Sequence, residues 1–89
     1  MEINKKVVLR QLGAKISYYR TLVGLTQEEL AQKINFTRST VTKIECGNYN
    51  GSLDVVHLIE IAEALDIDLT LLLTFNEFEK EMWDKRIIE

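Results

Sequence analysis

The sequence predicts an all-helical fold: five helices and an additional C-terminal helix. Three observations point to it. There is no proline and there are only four glycines in 89 residues, a composition suited to helices joined by short turns and poor for a strand-rich fold. Apolar residues recur at three- and four-residue spacing along most of the chain. Polar N-cap types and left-handed stop residues punctuate these runs at intervals of one helix length.

The first helix is expected from about Lys5 to Val23. Val8, Leu12, Ile16 and Tyr19 fall on one face, and Gly24 stops it as a left-handed residue. The second begins at Thr26, where Thr26-Gln27-Glu28-Glu29 reads as a capping box. Leu30, Ala31 and Ile34 face inward, and the helix stops near Asn35, a residue type that tolerates the left-handed region. The third starts after Thr37 as N-cap, turns Val41 and Ile44 inward, and ends at Gly47. Arg38, Ser39, Thr42 and Lys43 then project outward. After the loop Asn48–Gly51, a fourth helix is capped by Ser52 or Asp54 and carries Val55, Leu58, Ala62 and Leu65 on one stripe with Ile61 beside it. Asp68 caps a short fifth helix containing Leu69, Leu72 and Leu73. From Asn76 to Arg86 the pattern is again helical, with an apolar face of Phe75, Phe78 and Met82, Trp83 beside it, and an acidic opposite face. The domain expected is 1–74, with 75–89 an extension of it.

The composition limits the function. One cysteine and one histidine cannot supply an intramolecular disulfide or an ordinary four-ligand zinc site. No apolar run approaches the roughly 18 residues of a membrane span, and Met1–Arg10 lacks the apolar stretch of a signal peptide. A cytoplasmic location follows as the expectation. There is no nucleophile–base pair, metal cluster or phosphate-cradling glycine loop, so neither an enzyme nor a cofactor is expected, and no small-molecule ligand is evident. Cys46 reads as an inert small residue and His57 as a surface or rim histidine.

Net charge is −3, which at face value disfavours a polyanionic partner. The distribution reverses that inference. Residues 1–51 carry eight basic and four acidic groups, residues 52–89 three basic and ten acidic. A polyanion responds to the field within a Debye length, about 8–10 Å, and so meets the basic half.

Residues 25–47 form the unit with functional content: a capped helix, a tight turn at Asn35-Phe36-Thr37, and a second capped helix. So short a turn forces a steep crossing, and the second helix stands proud with polar side chains at its N-terminal end. Such a helix fits the major groove of DNA, about 12 Å wide, while the positive end of the preceding helix, around Gln27, faces phosphate.

Leu12-Gly13, Ile16, Arg20 and Gly24-Leu25-Thr26-Gln27-Glu28-Glu29-Leu30-Ala31 resemble the lambda-repressor-like (Cro/XRE-type) helix-turn-helix family. So do Thr37-Arg38-Ser39-Thr40-Val41, Lys43-Ile44-Glu45 and Gly47 for its recognition helix, and Ile61-Ala62, Ala64-Leu65 for its fourth helix. The resemblance runs from about Leu9 to Leu73. It implies that Arg38, Ser39, Thr42 and Lys43 meet base edges or flanking phosphates. Gln27 would bind phosphate and brace the recognition helix, with Thr26, Thr37, Asn48 and Tyr49 as further phosphate contacts. Arg20 and Glu45 would form an ion pair joining the first and third helices. Three departures stand out: Asn35 where glycine is usual, Gly51 where many members have proline, and about two extra residues between Gly47 and Ala62.

The function expected is sequence-specific DNA binding to a pseudo-palindromic operator as a homodimer, acting as a repressor. The alternatives are an antitoxin that also represses its own operon, and a protein-interaction module on the same fold. Phe75, Phe78, Met82 and Trp83 are the expected dimer or partner surface, with coverage of the monomer core the competing role.

Overall fold

A computed structural model describes residues 4–51 and 53–75. It comprises α1 (Lys5–Val23), α2 (Gln27–Lys33), α3 (Arg38–Glu45), α4 (Val55–Leu65) and α5 (Leu69–Leu73), with no strand among the described residues. The five expected helices are present in the expected order. The sixth, with Phe78, Met82 and Trp83, lies outside the described residues.

Each start has a chemical cause. The Thr26 hydroxyl accepts from Glu29 N–H at 3.0 Å, and the Glu29 carboxylate accepts from Thr26 N–H at 2.9 Å, closing the capping box of α2. Thr37 caps α3 by accepting from Thr40 N–H. Of the two candidates for α4, Asp54 is the cap, accepting from His57 N–H. His57 returns the bond: its Nδ1 accepts from Asp54 N–H at 3.3 Å, and its ring stacks edgewise on Phe36, centroids 5.2 Å apart. The histidine expected on the surface or rim is therefore a half-buried part of a cap.

The stops share one device. Gly24 (φ 84°), Asn35 (φ 59°), Gly47 (φ 74°) and Asp66 (φ 56°) are all left-handed. After each, a backbone N–H turns back to an orphan carbonyl: Leu25 to Arg20, Phe36 to Ala31, Asn48 to Lys43 and Ile67 to Ala62. Asn35 thus does the work expected of glycine in the α2–α3 turn.

The core gathers Leu12 and Ile16 of α1, Leu30, Ala31 and Ile34 around α2, Val41 and Ile44 of α3, Ile61, Ala62 and Leu65 of α4, and Leu72 of α5. Each fully buried large aliphatic side chain stabilises the fold by roughly 1.5–3 kcal/mol. Three placements differ from expectation. Val7 rather than Val8 is buried at the start of α1, together with Gln11. Val55 is 63% exposed: it is the first residue of α4, and among the described residues its side chain is not covered. Leu58 is only half-buried, and Ile61 takes the central place on α4.

Phe75 is half-buried against the core, and the Lys15 ammonium stands 5.7 Å above its ring centroid. That residue of the expected partner surface packs on its own chain.

Candidate nucleic-acid interface

The candidate interface is built around α3, which lies against α1 and α2. Val41 and Ile44 fix it to the core from one side, leaving Arg38, Ser39, Thr42 and Lys43 exposed on the other. No hydrogen bond or ion pair joins the side chains of Arg38, Ser39 or Lys43 to a described residue. Two cations and a hydroxyl are held outward on a short, well-packed helix.

A polar network locks that helix. Arg20 Nε donates to Glu45 Oε2 at 2.7 Å and Arg20 Nη2 to Glu45 Oε1 at 3.1 Å, while Arg20 Nη1 donates to the Leu25 carbonyl at 2.7 Å. One guanidinium thereby ties the ends of α1 and α3 to the loop before α2. Gln27 Nε2 donates to the same Glu45 Oε1 at 3.1 Å, and Gln27 Oε1 accepts from the Thr42 hydroxyl at 2.9 Å. The first side chain of α2 thus spans to the middle and end of α3. One N–H of the Gln27 amide remains for an outside acceptor.

Thr42 differs in detail from a free base-reading hydroxyl. Its oxygen lies within hydrogen-bond distance of both Gln27 Oε1 and the Arg38 carbonyl. The proton is engaged inside the protein, so Thr42 offers outward its methyl group and the oxygen's lone pairs. The hydroxyls of Thr26 and Thr37 serve as caps.

Arg20, Thr26, Gln27, Glu28 and Arg38 line one cleft at the N-terminal ends of α2 and α3. Glu29 lies beside it in the capping box. Accepting from the Thr26 N–H, and bonding the Thr26 side chain, holds its carboxyl below the usual carboxylate range, so it is ionised at neutral pH.

In the loop after α3, Asn48 and Asn50 are exposed. Tyr49 is half-buried and packs on the core, its ring lying against Gly51, where any Cβ would collide with it. The small residue at 51 exists to admit that ring. Tyr49, expected as a phosphate contact, has its ring half-buried in the loop. Sequence reasoning missed the buried Gln11, because glutamine on a helix reads as surface.

A helix-turn-helix family model matches residues 16–72, from the middle of α1 to α5. The chain belongs to the helix-turn-helix family. Members of this family are DNA-binding transcriptional regulators, and the lambda-repressor-like motifs are those of its Cro/C1 type. A relative from Archaeoglobus fulgidus, described as an uncharacterized HTH-type transcriptional regulator, is 33% identical over 75 residues, spanning 84% of this chain and 100% of the relative. Among solved structures, the restriction-modification controller protein C.AhdI from Aeromonas hydrophila is similar at 38% identity and a TM-score of 0.65, over 72% of this chain and 94% of that one. The clp gene regulator ClgR of C. glutamicum shares the fold at a TM-score of 0.67 and 21% identity, over 91% of this chain and 94% of that one. In this helix-turn-helix chain, α2 and α3 are the motif and α3 is its second helix.

Proposed function

We propose that this chain is a sequence-specific repressor that binds a pseudo-palindromic operator as a homodimer. The observation that carries the reading is the outward face of α3: Arg38, Ser39 and Lys43 stand exposed and unpaired among the described residues, on a helix fixed by the Arg20–Glu45–Gln27–Thr42 network. Arginine and lysine in such a setting suit guanine edges and phosphate. The network keeps the helix from turning, so little ordering remains to be done on binding.

Two-fold pairing would place two copies of α3 about 34 Å apart, one helical turn of DNA. Val55, Val56 and Ile59 of α4 and Leu71 and Leu73 of α5 are all exposed. Five large apolar side chains on these two helices supply area for a second copy. Residues Phe78, Met82 and Trp83 would add to that surface. Sequencing DNA retained by the protein from a random pool tests the reading, together with sedimentation at micromolar concentration. A two-fold symmetric consensus and a dimer support it; retained DNA without consensus, or a monomer at all concentrations, contradicts it.

The resemblance to C.AhdI favours a narrower reading, in which the regulated genes encode a restriction-modification pair. A consensus located upstream of such genes would support it.

A further inference from the structure

Ser39 and Thr42 both carry a hydroxyl on the exposed side of α3, but the two hydroxyls are not equivalent. That of Ser39 has no hydrogen bond to a described residue. The Thr42 oxygen lies 2.9 Å from Gln27 Oε1 and 3.0 Å from the Arg38 carbonyl oxygen.

The direction of the first bond is fixed at the far end of Gln27. Gln27 Nε2 stands 3.1 Å from Glu45 Oε1, and Glu45 is paired with Arg20. A carboxylate in an ion pair only accepts, so the amide turns its N–H toward Glu45 and its oxygen toward Thr42. That amide oxygen only accepts, and so does the Arg38 carbonyl. The single Thr42 proton is therefore committed between two acceptors of the protein itself, and none is left for a base. Thr42 is nonetheless exposed. Beyond its Cα, a threonine Cβ carries an oxygen, a methyl group and a hydrogen. With the oxygen drawn to Gln27 and Arg38, the methyl is the branch left to an outside partner.

We infer that Thr42 selects thymine in each half-site, by contact of its methyl group with the thymine C5 methyl. The inference rests on the proposed reading, in which α3 enters the major groove. There thymine alone of the four bases shows a methyl group; cytosine has none and presents an amino donor instead. A methyl gains by covering another methyl, and loses where it strips water from a polar group that it cannot bond. Thr42 is thus an apolar specificity determinant within a polar face, and Gln27 sets its orientation.

The test uses the operator selected from the random pool, with its thymines replaced by deoxyuracil one position at a time. This removes the base methyl and leaves pairing intact. Competition binding is measured for the full parent chain, Thr42→Ser and Thr42→Val. For the parent, replacement of one particular thymine in a half-site should weaken binding about fourfold, the effect of one buried methyl-sized group. Thr42→Ser keeps the bond to Gln27 and lacks the methyl. It should bind the thymine operator more weakly than the parent and be indifferent to deoxyuracil at that position. Thr42→Val keeps a methyl and lacks the hydroxyl, and should retain the parent's preference there. The inference is overturned if the parent responds to no thymine replacement, or if Thr42→Ser keeps the full preference at every position. Loss of the preference in Thr42→Val with its retention in Thr42→Ser would assign the contact to the hydroxyl, which also overturns it. A parent chain that retains DNA from the pool without a consensus, or none at all, overturns the functional reading itself.

Discussion

The Arg20 guanidinium and the Glu45 carboxylate meet through two parallel hydrogen bonds, with only 15% and 5% of their side chains exposed. This is a pair in a nearly dry setting, and removing one partner strands the other. Breaking a buried pair costs roughly 3–5 kcal/mol. Glu45→Gln keeps one acceptor oxygen, so a loss near the lower end, about 3 kcal/mol, is expected. Urea unfolding without DNA measures it; an unchanged midpoint would mean that the pair adds nothing to the fold.

Gln27 holds α3 from the opposite side, through Glu45 and Thr42. Gln27→Ala leaves Glu45 with Arg20 and Thr42 with the Arg38 carbonyl, so the cost to stability is about 1 kcal/mol. If the remaining amide N–H meets phosphate, as proposed, affinity for all DNA sequences should fall by the same factor. Competition between operator and unrelated duplexes reads this directly. A loss on the operator alone would assign Gln27 to base reading.

Gly13 is the point at which α1 and α3 touch backbone to backbone. In mid-helix, glycine to alanine ordinarily gains about 0.5–1 kcal/mol. Here the new methyl meets carbonyl groups that cannot swing aside, and overpacking of this kind costs about 1–3 kcal/mol or more. The sign should therefore invert: Gly13→Ala melts lower than the parent chain. A higher melting temperature would contradict the close contact.

The Glu29 carboxylate is held below the usual carboxylate range by the Thr26 N–H. A depressed acid stabilises the fold while ionised. Its contribution is whole at neutral pH and is lost as pH falls through the lowered value, on the acid side of the ordinary range. Glu29→Gln keeps the acceptor and does not titrate. Its helical signal should fall less steeply than that of the parent on acid titration, and identical acid limbs would remove Glu29 from the cap.

Much of this was legible in the sequence because caps and stops are local chemistry. Thr26, Thr37 and Asp68 announce helix starts, and Gly24, Asn35 and Gly47 announce ends, with no knowledge of the tertiary fold. Asp66 was not legible as a stop, since aspartate is far rarer than glycine in the left-handed region. Packing was legible only where a stripe has neighbours on both sides. Val55 sits on the stripe of α4 by spacing, yet at the first position of the helix it stays exposed among the described residues. At the start of α1 the 3.6-residue period allows the face to drift either way, and it drifted toward Val7 and Gln11. The outward set on α3 followed from periodicity, but the bond from Thr42 to Gln27 crosses two helices and depends on their angle.

On the proposed reading, the outward face of α3 reads bases. The most direct measurement is competition binding of the parent chain and Arg38→Ala against operators carrying every single-base change. Arg38 stands in the first turn of α3 with no described partner, so its truncation should flatten the preference at one position of each half-site, by about 1–3 kcal/mol, and leave the other positions as they were. A preference profile identical to that of the parent, or one weakened equally at every position, would contradict base reading by α3.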